Sequence, residues 1–537
     1  MQSATSGRER SRAAPTGWAL ELLFFALIFA ALMLLHAPLL RLPYFWDEAG
    51  YYIPAARDLY LTGALIPHST PSNAHPPLVM AWLALAWRVA GYSPLVTRTA
   101  MLAVAAFSLL GLFRLSRFAA NLPVAWATTA LAALYPVFFT QSSLAHLDLT
   151  VAGLTFWGLL AYLKDRPWHA ALWFSLGAMA KETAILAPLA LLAWELCARW
   201  VPARWADFVP PAERRSRSFF LLVPLLPLAC WYAYHYAKTG LLFGNPEFVR
   251  YNVTATLDPL RIPLALGLRL WQVFGYFGLY LLTVAGLLAM RRRPLAGKAE
   301  DRPRIALWMQ MAFLSVLIAY LVFMSVVGGA VLARYMLPVV PLVILLMVST
   351  LWRRVRYWRL VVALVAIAFV AQLFTNPPYG FSIEDNLAYR DYIIMHAEAG
   401  RFLALRYPRA RVLTAWPASD ELSRPWLGYV SRPFPVVRIE DFTPGQIAVA
   451  AAATNQYDVA LAFSTKYRPA HPLLEDWAPW RALKEKYFGY HRDLPPEEIA
   501  QRLGGRIVFQ KPSDGQWVAV IALEREVDAE VRIQPTK

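Results

Sequence analysis

Charge is scarce in this chain of 537 residues: Asp, Glu, Lys and Arg make up 16% of it, against about a quarter in an ordinary globular protein. An ordinary soluble enzyme is thereby excluded. The complement, 58% hydrophobic residues and a mean hydropathy of +0.41, points to a polytopic membrane protein. Cysteine is nearly absent. Cys197 and Cys230 both lie in apolar runs, so neither a disulfide framework nor a cysteine-based metal site is readable. Lysine is rare in the first 375 residues, where Arg carries most of the positive charge. There is no glycine-rich phosphate loop, internal repeat or low-complexity segment. Aromatic residues, in contrast, are abundant, and 21 Trp, 25 Tyr and 29 Phe exclude a disordered chain. The net charge of +17 would suit nucleic acid. In a membrane protein it reads instead as Arg-rich inner loops, and no nucleic-acid partner is expected.

The apolar windows stop near Phe374. Residues 1–375 carry 15 Asp and Glu while the shorter 376–537 carries 20, which divides a membrane domain from a water-soluble one. Eleven spans are expected, at about 18–40, 94–113, 123–140, 147–163, 168–181, 183–199, 218–238, 264–290, 305–327, 333–351 and 359–375. The first, from Trp18 to Leu40, is long enough to cross a bilayer and has no small-residue cleavage site after it, unlike a signal peptide. With Arg8, Arg10 and Arg12 placed in the cytoplasm, every alternate loop is basic. These inner loops hold Arg114 and Arg117, Lys164 and Arg166, Arg204 with Arg214, Arg215 and Arg217, Arg291 to Arg293, and Arg353, Arg354 and Arg356. The soluble part then falls outside, periplasmic to an inner membrane.

The first outer loop, about 41–93, contains two amphipathic stretches, Ala49–Leu61 and Pro76–Val89, that read as helices at the interface. The tail reads as a small α/β domain. A helix is expected over Asn386–Arg406, with short strands at Val412–Ala415, Val436–Ile439 and Val459–Phe463. Thr443-Pro444 opens a helix through Ala453, and Arg506–Gln510 pairs with Trp517–Leu523 as a closing hairpin.

On the expected outer face, Asp47 and Glu48 follow the first span in Phe45-Trp46-Asp47-Glu48-Ala49-Gly50-Tyr51-Tyr52. A carboxylate at a bilayer boundary is partly desolvated, which suits it to act as a general base. Asp47 reads equally as the cap of the helix that follows. Asp148 opens a span otherwise free of charge and carries the same two readings. Lys181-Glu182 is either an ion pair at a helix break or a cation waiting for a phosphate. Arg334, followed by Tyr335, sits at the outer start of a span, where it either snorkels or meets an anion. His75, Arg250 and Arg269 are weaker substrate-binding candidates, the two arginines reading as solvated. No cofactor is required. The metal option is a divalent cation held by His75 and His146 with Asp47 or Asp148, although no HExxH-type spacing supports it.

A pocket with carboxylates and cations at headgroup level suits sugar transfer from a lipid-linked phosphate: a base activates the acceptor hydroxyl, and cations hold a phosphate that leaves as an anion. The ordered set Trp46-Asp47-Glu48, His75-Pro76-Pro77-Leu78, Asp148, Lys181-Glu182 and Arg334-Tyr335-Met336-Leu337-Pro338 resembles the GT-C glycosyltransferases. Within them it is most similar to the bacterial branch of protein mannosyltransferases and the lipid A aminoarabinose transferase. The resemblance covers roughly 18–351. It implies a polytopic helical fold, Asp47 as catalytic base, inversion at the anomeric carbon and a polyprenyl-phosphate sugar as donor. It also implies that Lys181 and Arg334 face the donor phosphate. Residues 376–537 match no acceptor-binding module, so lipid, protein and polysaccharide acceptors all remain open. The rivals are a transporter or flippase of a lipid-linked anion and a non-catalytic envelope assembly protein. The first requires charges at span midpoints and matched broken halves, and the second does not need Asp47, Lys181 and Arg334 together.

Overall fold

A computed structural model describes residues 17–211, 218–295, 302, 304–469, 472 and 476–523. Arg8, Arg10, Arg12, Arg214, Arg215 and Arg217 lie outside the described residues. Among those described, six helices are long and apolar enough to cross a membrane: Trp18–Leu35, Pro94–Ala119, Glu182–Trp200, Ser218–Thr239, Arg261–Met290 and Leu307–Val326. The other five expected spans are helices of 13 to 17 residues: Leu122–Leu134, Asp148–Leu163, Pro167–Ala180, Val340–Arg354 and Trp358–Phe374. They are short for a physical reason. The expected span 123–140 is interrupted at Pro136, whose missing N–H breaks the ladder. The expected span 333–351 begins with a 3-10 turn, Ala333–Met336, before the helix proper.

Local chemistry sets several boundaries. Ser93 accepts from the Val96 N–H at 3.2 Å and Asn121 from that of Val124 at 3.0 Å, each with Pro just inside the helix start. Arg261–Met290 kinks at Phe277 and Gly278, which both adopt positive φ. The helices Pro94–Ala119 and Asp148–Leu163 pack closely because small residues face large ones, as in membrane helix pairs generally. A Cβ at Gly111 would stand 2.7 Å from the Trp157 indole nitrogen, and one at Gly153 would overlap the Ser108 hydroxyl.

Basic loops meet in pairs. Arg114 lies over Trp157, Lys164 over Phe118, and the Leu295 N–H donates to the Arg353 carbonyl at 3.1 Å.

At the other end sits a five-stranded sheet of order β2-β1-β3-β5-β4, formed by β1 (Val412–Ala415), β2 (Val436–Ile439), β3 (Val459–Phe463), β4 (Gly505–Ser513) and β5 (Gln516–Leu523). The first three strands are parallel, and the β4–β5 hairpin joins β3 antiparallel through β5. The long helix covering the sheet begins at Ala388 and ends at Arg406. Pro444–Ala451 starts at Thr443 as expected, but the Thr443 hydroxyl donates to Asp441 at 2.6 Å and does not cap the helix. In the first loop the two stretches are helical over Ile53–Thr62 and Leu78–Ala90. A π-turn, Glu48–Tyr52, precedes the first, and Pro77 stands at the cap of the second.

Candidate active site

A cavity of about 1600 Å³ opens where the membrane helices meet the sheet domain. One wall comes from the bundle and its first loop, including Asp47, Tyr52, His75, Lys181, Glu182 and Tyr335. The other comes from the segment after the last helix, with Glu384 and Asp385, and from the sheet domain, with Trp416, Lys466 and Lys484.

Asp47 occupies the cap position of the π-turn, yet its side chain caps nothing. Its Oδ2 accepts from Arg334 Nη2 at 2.5 Å, and 21% of the side chain stays exposed. Arg334 is itself buried and joins three carboxylates. Nη1 donates to Glu384 Oε2 at 2.6 Å, and Nε lies 3.2 Å from Asp148 Oδ2. Asp148 does not cap its helix either, because its Oδ1 accepts from Lys181 Nζ at 2.7 Å. Lys181 therefore pairs with Asp148 and not with its neighbour Glu182, which accepts from His75 Nδ1 at 2.9 Å. Lys181 Nζ lies 4.2 Å from the Tyr335 ring centre. The guanidinium carbons of Arg269 and Arg334 lie 5.5 and 5.7 Å from the same centre. Three buried cations thus surround one ring, a placement that makes the Tyr335 end of the cavity electropositive.

Three expectations need correction. Glu48, expected as a catalytic carboxylate beside Asp47, is fully buried and turned away from the cavity. Both its oxygens are taken by Arg98, and the backbone N–H groups of Phe45 (2.8 Å) and Ala145 (2.5 Å) also donate to it. Arg250 is exposed and does not line the cavity. Arg269, expected to be solvated, is fully buried. It donates to the carbonyls of Met324 and Leu332 and to Gln272, while its Nη2 has no partner among the described residues. As for the metal option, Tyr52 packs against both His75 and His146, at 6.0 and 5.9 Å between ring centres. Among the described residues no group of three or more His, Cys, Asp or Glu is arranged to ligate an ion. His146 lies 2.9 Å from Arg334 Nη1, and burial, then that guanidinium, holds its pKa well below the usual imidazole value.

Glu384 and Asp385 escaped the reading of the sequence. Burial pushes Glu384 up to about 8, against the pull of Arg334. It pushes Asp385, which accepts from the Tyr276 hydroxyl at 2.7 Å, up to about 7.

Two crystal structures of ArnT from Cupriavidus metallidurans, bound to undecaprenyl phosphate and in the apo state, share this architecture at a TM-score of 0.52. Their sequences are 15% and 14% identical to this one, over 94% of this chain and 98% of theirs. The chain has the GT-C fold. The oligosaccharyltransferase of Archaeoglobus fulgidus is also found, at a TM-score of 0.45 and 12% identity over 93% of this chain and 72% of that one. No family model matches the sequence, and no curated protein matches it. On the GT-C fold, the cavity and its charges lie at the end of the bundle that carries the sheet domain.

Proposed function

We propose that this protein is an inverting glycosyltransferase that moves a sugar from a polyprenyl-phosphate donor to an acceptor hydroxyl at the outer face of the inner membrane. The observation that carries the reading is Asp47, a partly exposed carboxylate in the cavity wall, 2.5 Å from a buried arginine and beside the Lys181–Tyr335 cluster. Asp47 takes the proton of the acceptor hydroxyl as its oxygen bonds to the anomeric carbon. The bond from that carbon to the phosphate oxygen breaks, and polyprenyl phosphate leaves as an anion that needs no proton. Lys181 and the Tyr335 hydroxyl line the phosphate seat, with Arg334 and Arg269 adding positive potential from behind.

The donor class draws support from the undecaprenyl phosphate bound to the structural neighbour. A transporter is disfavoured because the charges gather at one end of the bundle, beside the cavity. The N-terminus is assigned to the cytoplasm and the sheet domain to the periplasm. Phosphatase and fluorescent-protein fusions at Lys537 test this, and a fluorescent, phosphatase-negative fusion overturns it. The acceptor belongs to one of three classes: glycolipid, Ser/Thr-bearing protein or polysaccharide. Mass spectrometry of the envelope of a deletion strain identifies it. The reaction itself is tested with purified protein, a polyprenyl-phosphate sugar and membrane extract as acceptor. Transfer by wild type and its loss in Asp47→Asn support the reading, whereas equal turnover by the variant sinks it.

A further inference from the structure

Arg334 is over-supplied with carboxylates. With Asp47, Asp148 and Glu384 all ionised, three negative charges offset the three positive charges of Arg334, Lys181 and Arg269. A cluster with no net positive charge in a low-dielectric setting gives little attraction to the anionic phosphate it is meant to hold. A neutral carboxylate leaves the cluster positive, and the geometry singles out Glu384 for that state. It is 3% exposed, and its Oε2 is occupied by Arg334 Nη1. Its Oε1 is buried and has no partner among the described residues, a costly position for an ionised oxygen. As a carboxylic acid the same group keeps Oε2 as the acceptor for Arg334 and turns Oε1 into a donor. Glu384 lines the cavity, so its protonation state sets the charge that a ligand there meets.

We infer that Glu384 works as a protonated acid in the phosphate subsite, holding Arg334 in place without cancelling its charge. The inference rests on the donor reading above, since the anion is the phosphate of a polyprenyl phosphate.

The surroundings fit this state. The groups facing Glu384 are Arg334, the Asp47 and Asp148 carboxylates reached through it, His146 at 3.9 Å and the adjacent Asp385. Thr140 and Gln141 from the neighbouring helix contact only its backbone carbonyl. Burial raises the pKa of Glu384 to about 8, so the acid predominates below that pH and the anion above it. Asp385, at about 7, is largely ionised at pH 7.5 and above. Lys466, lowered to about 8 by burial, is the other cavity group that titrates in the same window and needs its own control.

The test is equilibrium binding of polyprenyl monophosphate to the detergent-solubilised full chain between pH 7.5 and 9.5. The probe's second ionisation, near pH 6, is complete throughout. If only the acid form binds, wild-type affinity falls about 25-fold across the window. Glu384→Gln, a permanently neutral mimic, is expected to bind within about 3-fold of wild type at pH 7.5 and to lose the dependence on pH. Lys466→Met is expected to keep it. A fall that persists in Glu384→Gln, or that vanishes in Lys466→Met, overturns the inference. Wild-type calorimetry at pH 8.5 in buffers of different ionisation enthalpy tests it without a variant. Uptake of about 0.8 proton per ligand supports it, and zero uptake overturns it. Failure of wild type to bind the probe at any pH is a different result, which overturns the donor reading along with it.

Discussion

Two acidic dipeptides, Asp47-Glu48 after the first membrane helix and Glu384-Asp385 after the last, are built on one plan. In each, one carboxylate meets Arg334 and the other is locked into the fold. They differ in how much water and how many donors they receive. Asp47 keeps 21% of its side chain exposed, Glu384 only 4%. Glu48 is surrounded by a guanidinium and two backbone N–H groups, a set that suits an ion. Asp385 has a single phenol on one oxygen and nothing on the other among the described residues. The contrast teaches that the role of a carboxylate here follows from its donors and its access to water. Neither residue type nor closeness to Arg334 decides it.

Four measurements break or sharpen this contrast. The largest effect is expected in kcat, where Asp47→Asn loses about 10²–10⁴-fold while Glu384→Gln stays within about 3-fold at pH 7.5. Equal losses in the two variants erase the difference between the members that touch Arg334. Next come the locked members. Glu48→Gln removes the counter-ion of buried Arg98 and is expected to cost about 3–5 kcal/mol in unfolding free energy. A thermal unfolding curve in detergent that matches wild type contradicts the bracing role. On the cation side, Lys181→Met is expected to raise the donor KM about 10–150-fold and to leave the acceptor KM alone, removing a charge-assisted contact of about 1.5–3 kcal/mol, while Arg269→Met removes only a charge behind the seat and raises the donor KM by less. Unchanged donor parameters in both variants would move the phosphate away from Tyr335. The smallest effect belongs to Asp385→Asn, whose amide oxygen still accepts from Tyr276 and which loses only the charge on that bond, at an expected cost of about 0.5–1.5 kcal/mol. A loss as large as that of Glu48→Gln would make the two locked positions equivalent.

The membrane half of the site was conspicuous in the sequence because charge is rare there. Asp47, Asp148, Lys181 and Arg334 each stand out against apolar surroundings, and the structure brings all four within one cluster. Glu384 and Asp385 were hidden by the opposite circumstance, since they fall in the acidic stretch beyond 375 where one more carboxylate attracts no notice. Their signal was the same one that exposed Asp47: adjacent carboxylates just after a span, here between Phe381 and Tyr389. The ranking of Arg250 against Arg269 was also recoverable in part. Arg261, Ala265, Arg269 and Val273 recur every four residues along one helix, and all four are buried. The partner of Glu48 was not recoverable, because Arg98 lies 50 residues away inside another helix and only the folded packing joins them. Strands β1 to β3 were legible as short runs of buried-strand type. The break at Pro136 shows where a single residue type outweighs hydropathy.

At Gly50 a single absent carbon couples two halves of the molecule. A Cβ there would lie 2.6 Å from the ring of Trp416, which the sheet domain presses against the π-turn carrying Asp47 at its head. The turn and the domain behave as a lever and its fulcrum. Gly50→Ala adds no charge and removes no contact of Asp47, yet it must displace the Trp416 ring, lift the domain or tilt the turn. A shift of about 1 Å at a reacting group is enough to slow chemistry about 10²-fold. Alignment of Asp47 thus depends on a residue type chosen for what it leaves out, and on a tryptophan more than 350 positions away that fills the space.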